Sequence, residues 1–287
     1  LFFKEKIVEI TAATVKKLRD ITGAGMMDCK KALVDANGDF AKAEKILKEM
    51  GLAAVAKRAD RATNNGRAFT LVKNNKAVIL EMVCETDFVA RNEDFIALGN
   101  ELCSDIIENN YKEIVGPLEE KVETLITKIK ENMSLKRFEV LDILQNQMVS
   151  SYVHGEGSLA VLVRLEAEYP KVLENEHVKE FSFDTALHVA AFNPTYLDAS
   201  LVDKAFIDEN TEIFTKQTLA LGKPEKVTEG IVRGKLNKLL SEVCFLQQPF
   251  VKDDSQSVEK VLANLSKEVG SKLKIVDYVN YRVGVVG

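Results

Sequence analysis

Cysteine and histidine are the side chains best suited to nucleophilic or metal chemistry, and this 287-residue chain holds four of the first and three of the second. Cys29, Cys84, Cys103 and Cys244 are scattered, form no C-x-x-C pair and stand in apolar or helical settings. There a free cysteine behaves as a small core residue. His154, His177 and His188 show no zinc spacing. Two glycine stretches invite a nucleotide. "GAGMMDCKK" lacks the G-x-x-x-x-G-K-[ST] spacing and follows no strand, and "VGVVG" has no helix after it to receive a pyrophosphate. There is no G-x-S-x-G elbow and no H-E-x-x-H pair. The abundant Asp and Glu lie mostly on helix faces, where solvation accounts for them. The residues give no positive reason to expect an enzyme, a metal site or a cofactor.

One short joint is different. "CETDFVARN" (84–92) links an apolar run, "AVILEMV", to a stretch of helical spacing, "NEDFIALGNELCSDII". Asp87 stands there beside the large apolar Phe88 and Val89. By residue type both should pack inward and staple strand to helix. By position the joint lies at the surface, and an aromatic beside an acid there has the composition of a binding hot spot. Both readings stay open on residue physics.

The elements that would hold this joint are legible around it. Residues 11–22 form a helix with Val15, Leu18 and Ile21 on one face, ended by Gly23. "MMDCKKALVDA" forms a second helix that stops at Asn37-Gly38. A third starts from an Asp39 cap, buries Ile46, Leu47 and Met50 and stops at Gly51. The pattern then turns to β. "GRAFTLV" and "AVILEMVCE" make a hairpin around 73–76, followed by a helix capped by Asn92 and another from Pro117 carrying Leu118, Val122, Leu125, Ile126 and Ile129. A second hairpin, "MVSSYVH" and "LAVLVRLEAE" around 155–158, precedes the helical "FSFDTALHVAAF" that Pro194 ends. "AVILEMV" and "AVLVRLE" hold the same place in the two units, which suggests an internal duplication. Residues 200–243 are helical and charged apart from "LGKPEK", the pattern of a helical hairpin, with Ala205, Ile207, Ile213 and Leu219 set against Ile231, Leu236 and Leu239. It could pair within one chain or between two. "KLKIVDYVNYRVG" reads as a strand.

Composition fits this picture. Hydrophobic residues make up 46% and charged residues 29%, an ordinary globular balance. The net charge of −5 argues against a dedicated nucleic-acid binder, and no apolar run approaches the ~20 residues of a membrane span. The start "LFFKEK" lacks the marks of a secretory signal, and unpaired cysteines suit a reducing compartment.

With those residues in view, the chain resembles the elongation factor Ts family along essentially its whole length. The resemblance is carried by "LRDITGAGMMDCKKAL" (18–33) and "TDFVARN" (86–92), with support from "SYVHG" (151–155), "LGKP" (221–224) and "QPFV" (248–251). It implies an α+β fold of three parts. A ubiquitin-associated-like three-helix domain at 1–55 docks on a partner. A core N-subdomain spans 56–145 and a core C-subdomain 146–287, with a projecting antiparallel coiled coil inserted at about 200–243. It implies nucleotide exchange on the GTPase elongation factor Tu. Thr86, Asp87, Phe88 and Val89 would dislodge magnesium from the partner's GDP site, while Met26, Met27, Lys30 and His154 make further contacts. It also implies no bound cofactor, no nucleic acid or membrane partner, and a bacterial cytoplasm, with an organellar matrix as the alternative. A homodimer through the coiled coil and a non-catalytic scaffold role are the remaining alternatives. The "LFF" start has no counterpart in the family, and the chain stops soon after the strand ending near Val283, where some members continue into a further helix.

Overall fold

The computed structural model describes residues 10–222 and 224–284; the "LFF" start, Lys223 of "LGKP" and the last three residues lie outside them. Three helices open the chain: α1 (Ala12–Thr22), α2 (Met26–Asp35) and α3 (Phe40–Ala56). The caps follow the sequence. Thr11 and Asp39 side chains accept from the amides of Thr14 and Lys42, and Gly23 ends α1 in the left-handed region. Val15, Leu18, Cys29, Leu33, Ala43 and Leu47 form their common core.

Three expectations are corrected here. Ile21 is exposed, one position off the buried stripe, and Met50 is 36% exposed rather than buried. Nor does Gly51 end α3. The helix runs through it to Ala56, because Gly51 marks where α3 approaches a core helix. A Cβ at residue 51 would lie 2.9 Å from Thr127 Oγ1.

The body holds two three-stranded antiparallel sheets of the same topology. β1 (Asn65–Lys73) and β2 (Lys76–Cys84) form a hairpin; a four-residue helix α4 (Asp87–Ala90), α5 (Glu93–Glu108) and α6 (Gly116–Ile129) follow; β3 (Met133–Asp142) then pairs with β2. β4 (Gln147–His154) and β5 (Leu159–Ala167) form the second hairpin. α7 (Glu176–Phe192), the helical hairpin of α8 (Lys204–Ala220) and α9 (Glu225–Val243), a small ribbon of β6 (Pro249–Phe250) and β7 (Asp253–Ser257), and α10 (Val258–Glu268) separate it from β8 (Leu273–Arg282), which pairs with β5. Each central strand meets its third strand through a bulge at the same place, between Glu81 and Met82 in β2 and between Arg164 and Leu165 in β5.

Alternation decides the layers. Phe69, Val78, Leu80 and Met82 face α5 and α6, where Phe95, Leu102 and Ile106 complete one core. Val161, Val163 and Leu165 face α7 and α10 in a second. The opposite faces meet each other through small and aliphatic residues, Ala68, Ala77, Ile79, Ala160 and Leu162. Covered on both sides, β2 is almost wholly buried, which is why it reads as a continuous apolar run.

Packing is tight where α5 crosses β1. Gly99 sits against the buried Phe69 ring, and a Cβ there would lie 2.2 Å from Phe69 Cζ. Gly99→Ala is expected to destabilise by about 2 kcal/mol, since overpacking outweighs the gain in helix propensity. The urea midpoint should fall with an unchanged slope. An unchanged midpoint would mean that the ring yields freely.

The helical hairpin pairs with itself along only part of the expected seam. Ala205, Ile213 and Leu219 are exposed, whereas Ile207, Ile231, Leu236 and Leu239 are half-buried and Phe206, Thr211, Phe214, Thr218 and Val232 are covered with them. Polar seam residues are accommodated locally. Thr211, Thr215 and Thr218 hydroxyls donate to carbonyls one turn back, and Lys235 Nζ lies 5.4 Å from the Phe214 ring centre. Among the described residues, no helix is long and apolar enough to cross a membrane.

Candidate partner-docking site

The joint after β2 folds as a single helical turn whose residues diverge. Thr86 is its N-cap and accepts from the Val89 amide at 3.3 Å. α4 lies along β1 and β2, so Val89 and Ala90 are buried, while Phe88, one position earlier, is 82% exposed. The expectation that both apolar residues turn inward therefore holds for Val89 and fails for Phe88. A ring that large and that bare is costly to leave in water, since burial would contribute roughly 1.5–3 kcal/mol. Something rigid has to hold it out.

The holding groups come from far along the chain. Glu131, after α6, accepts from the Thr86 hydroxyl at 3.0 Å and from the Thr86 amide at 3.2 Å. Glu85 accepts from the Asn132 amide at 2.5 Å and pairs with Arg61 at 3.3 Å, while Asn65 Nδ2 donates to the Glu85 carbonyl. The Asn132 amide, and then Arg61, hold the Glu85 carboxyl below its ordinary value. Its contribution is thus present above the unfolded-state value and lost as pH falls through the depressed folded one. Beneath the turn, Cys84 Sγ donates to the Thr86 carbonyl, and burial pushes this thiol up to about 12. Cys84 is a structural thiol and no nucleophile.

The other expected contact residues are also at the surface. Met27 is 75% exposed at the start of α2, Met26 and Lys30 are exposed beside it, and Val34 continues the stripe one turn further. His154 ends β4 at the surface, its Nδ1 2.9 Å from the Tyr152 hydroxyl. Although it belongs to the other sheet, it is close in structure to the Phe88 segment. The turn that follows it, 155–157, packs on β1, and Glu156 Oε2 lies 3.2 Å from Arg91 Nε just past α4. Met26, Met27 and Lys30 sit apart on the helical module. Sequence reasoning missed Glu131, Arg61 and Glu156, each of which meets the joint only through the fold.

A family model, Elongation factor TS, matches residues 85–285, a span that opens just before Thr86 and runs through β8. Elongation factor Ts of Treponema denticola is 46% identical over 278 residues, covering 97% of this chain and 99% of that relative. The chain belongs to the elongation factor Ts family. Its full-length similarity extends to Elongation factor Ts of Borreliella burgdorferi, 43% identical with 96% and 99% covered. Elongation factor Ts of Clostridium novyi is 42% identical with 96% and 93% covered. As a member of the elongation factor Ts family the chain is a translation elongation factor, serving protein biosynthesis. These relatives are matched along the helical module and the α8–α9 hairpin as well as the two sheets.

Proposed function

We propose that this chain promotes release of GDP from the GTPase elongation factor Tu by inserting Phe88 beside the partner's magnesium site. Residues Thr86 to Val89 act as one wedge: Thr86 and Val89 anchor it, Asp87 faces solvent at its base, and Phe88 is the part that enters. Loss of the metal then loosens GDP. The observation that carries this reading is the fully presented Phe88 ring on a turn fixed by Glu131. Met26, Met27 and Lys30 on the helical domain, 1–55, and His154 on the C-terminal core, 146–287, supply further contacts. The shared topology and matching bulges of the two sheets support reading 56–145 and 146–287 as duplicated halves.

An exchange factor needs no nucleotide loop of its own. It must bind the empty GTPase more tightly than the occupied one, and the coupling is reciprocal. A scaffold role would give no reason for the preformed turn around Phe88. The reciprocity supplies the test. The complex with elongation factor Tu should isolate free of nucleotide and come apart when GDP and magnesium are added together. A complex indifferent to both would refute the exchange reading.

A further inference from the structure

We propose that Arg67 is the positioning residue of the Phe88 wedge, tying it to the turn that carries His154 so that the two act as one rigid contact surface; this rests on the exchange reading above. Arg67 lies on β1 opposite Met82, half-buried between two segments that come from different sheets. On one side its Nη1 donates to the carbonyl of Ala90, the last residue of α4, at 3.4 Å. A four-residue helix leaves its final carbonyls without helical partners, and a guanidinium meets both the orphan acceptor and the negative end of the turn.

On the other side the Arg67 stem runs under Gly157. A Cβ at residue 157 would fall 2.2 Å from Arg67 Cγ and 2.8 Å from its Nε. Gly157 also sits at a φ of +92°, a region that side-chain-bearing residues avoid. The turn closes over Arg67 because that position is glycine. Above them Arg91 and Glu156 form an outer strut. That pair is mostly exposed and contributes little by itself, so the half-buried Arg67 is the main tie. Phe88 projects from one side of this knot and His154 begins the other.

Rigidity has a consequence for exchange. A wedge free to recoil would lose ordering entropy on entering the partner, and less of its burial would reach the magnesium site. The test measures GDP release from elongation factor Tu for wild type, Arg67→Met, Phe88→Ala and the double variant. Arg67→Met keeps the apolar stem and removes the tie. It should slow release at saturating factor by about tenfold, a size expected of coupled neighbours, with the half-saturating concentration nearly unchanged. In the Phe88→Ala background it should cost much less than tenfold, a non-additivity that a purely structural role would not produce.

Arg67→Lys, which retains stem and donor, should recover most of the rate. If Arg67→Met fails to fold by circular dichroism, Arg67→Lys carries the same cycle with a smaller loss, about threefold. A slow Phe88→Ala with additive losses, or with Arg67 variants at the wild-type rate, would overturn the positioning role alone. Phe88→Ala at the wild-type rate would overturn the exchange reading and the proposal with it.

Discussion

Phe88→Ala should slow GDP release from elongation factor Tu by about 30-fold, roughly 2 kcal/mol of binding energy withheld from the exchange transition state. The size follows from area. The ring is 82% exposed in the free chain, so nearly all of its burial is deferred until a partner covers it, and a buried Phe contributes roughly 1.5–3 kcal/mol. The turn beneath is already fixed by the Thr86 cap and Glu131, so little of that gain is spent on ordering. The same exposure means that truncation should hardly touch folding, within about 0.5 kcal/mol as for other surface changes. Stopped-flow release of a fluorescent GDP, beside urea unfolding of the same protein, separates the two effects. Equal release rates would remove Phe88 from the mechanism. Even the full effect is one to two decades, so a broad interface must supply the rest.

How far the sequence reached this site can be traced residue by residue. The composition of "TDFV" pointed to the joint, but its direction depended on how one helical turn lies against β1 and β2. Successive helical residues diverge by about 100°, so Val89 and Phe88 end on opposite sides although both are large and apolar. Local caps were legible because they are encoded within three residues: Asp39 and Asn92 both cap as their types require. Groups that meet only through the fold left no local signal. Glu131 is 45 positions from Thr86, and Arg67 comes from the far edge of a hairpin.

The strands show a subtler limit. β3 was not expected, and its bulge explains why. Met133 and Leu135 face the helices, then Lys136 is extra at the register shift, and Phe138 and Val140 resume the face one step out of phase. An inserted residue breaks the period-two alternation on which strand recognition rests. β8 carries the same shift yet stays visible through its β-branched and aromatic residues. α10 had a full signal, a Ser257 cap with Val258, Leu262 and Leu265 on one face, and the expectation for that region named only the strand after it. The hairpin seam was legible only in part because its inward positions include Thr211 and Thr218, whose hydroxyls are satisfied inside the helix and cost little to bury.

The same bulge position carries the second large expectation, that Glu81→Ala destabilises the protein by about 3 kcal/mol. Glu81 is fully buried between the sheets and both of its carboxylate oxygens are engaged. Lys136 Nζ lies at 3.2 Å, Arg137 Nε donates at 2.7 Å and the Gly284 amide donates at 3.2 Å. Arg137 in turn stacks 4.1 Å over the ring of Tyr281 on the opposite sheet, and the Tyr281 hydroxyl returns to Glu139 at 2.9 Å. Burial and then Glu139 push that phenol above its ordinary value, so it remains a donor. In the second sheet the equivalent place holds Arg164 paired with Asp277, the same ion pair with its charges exchanged. Removing Glu81 takes the buried carboxylate out of a network that reaches across to the other sheet through Arg137 and Tyr281. Glu81→Met should cost less, because it fills the volume, although Arg137 still loses the carboxylate. The urea midpoint of each variant measures this at constant slope; a loss under about 1 kcal/mol for Ala would show that Lys136 and Arg137 simply turn to water.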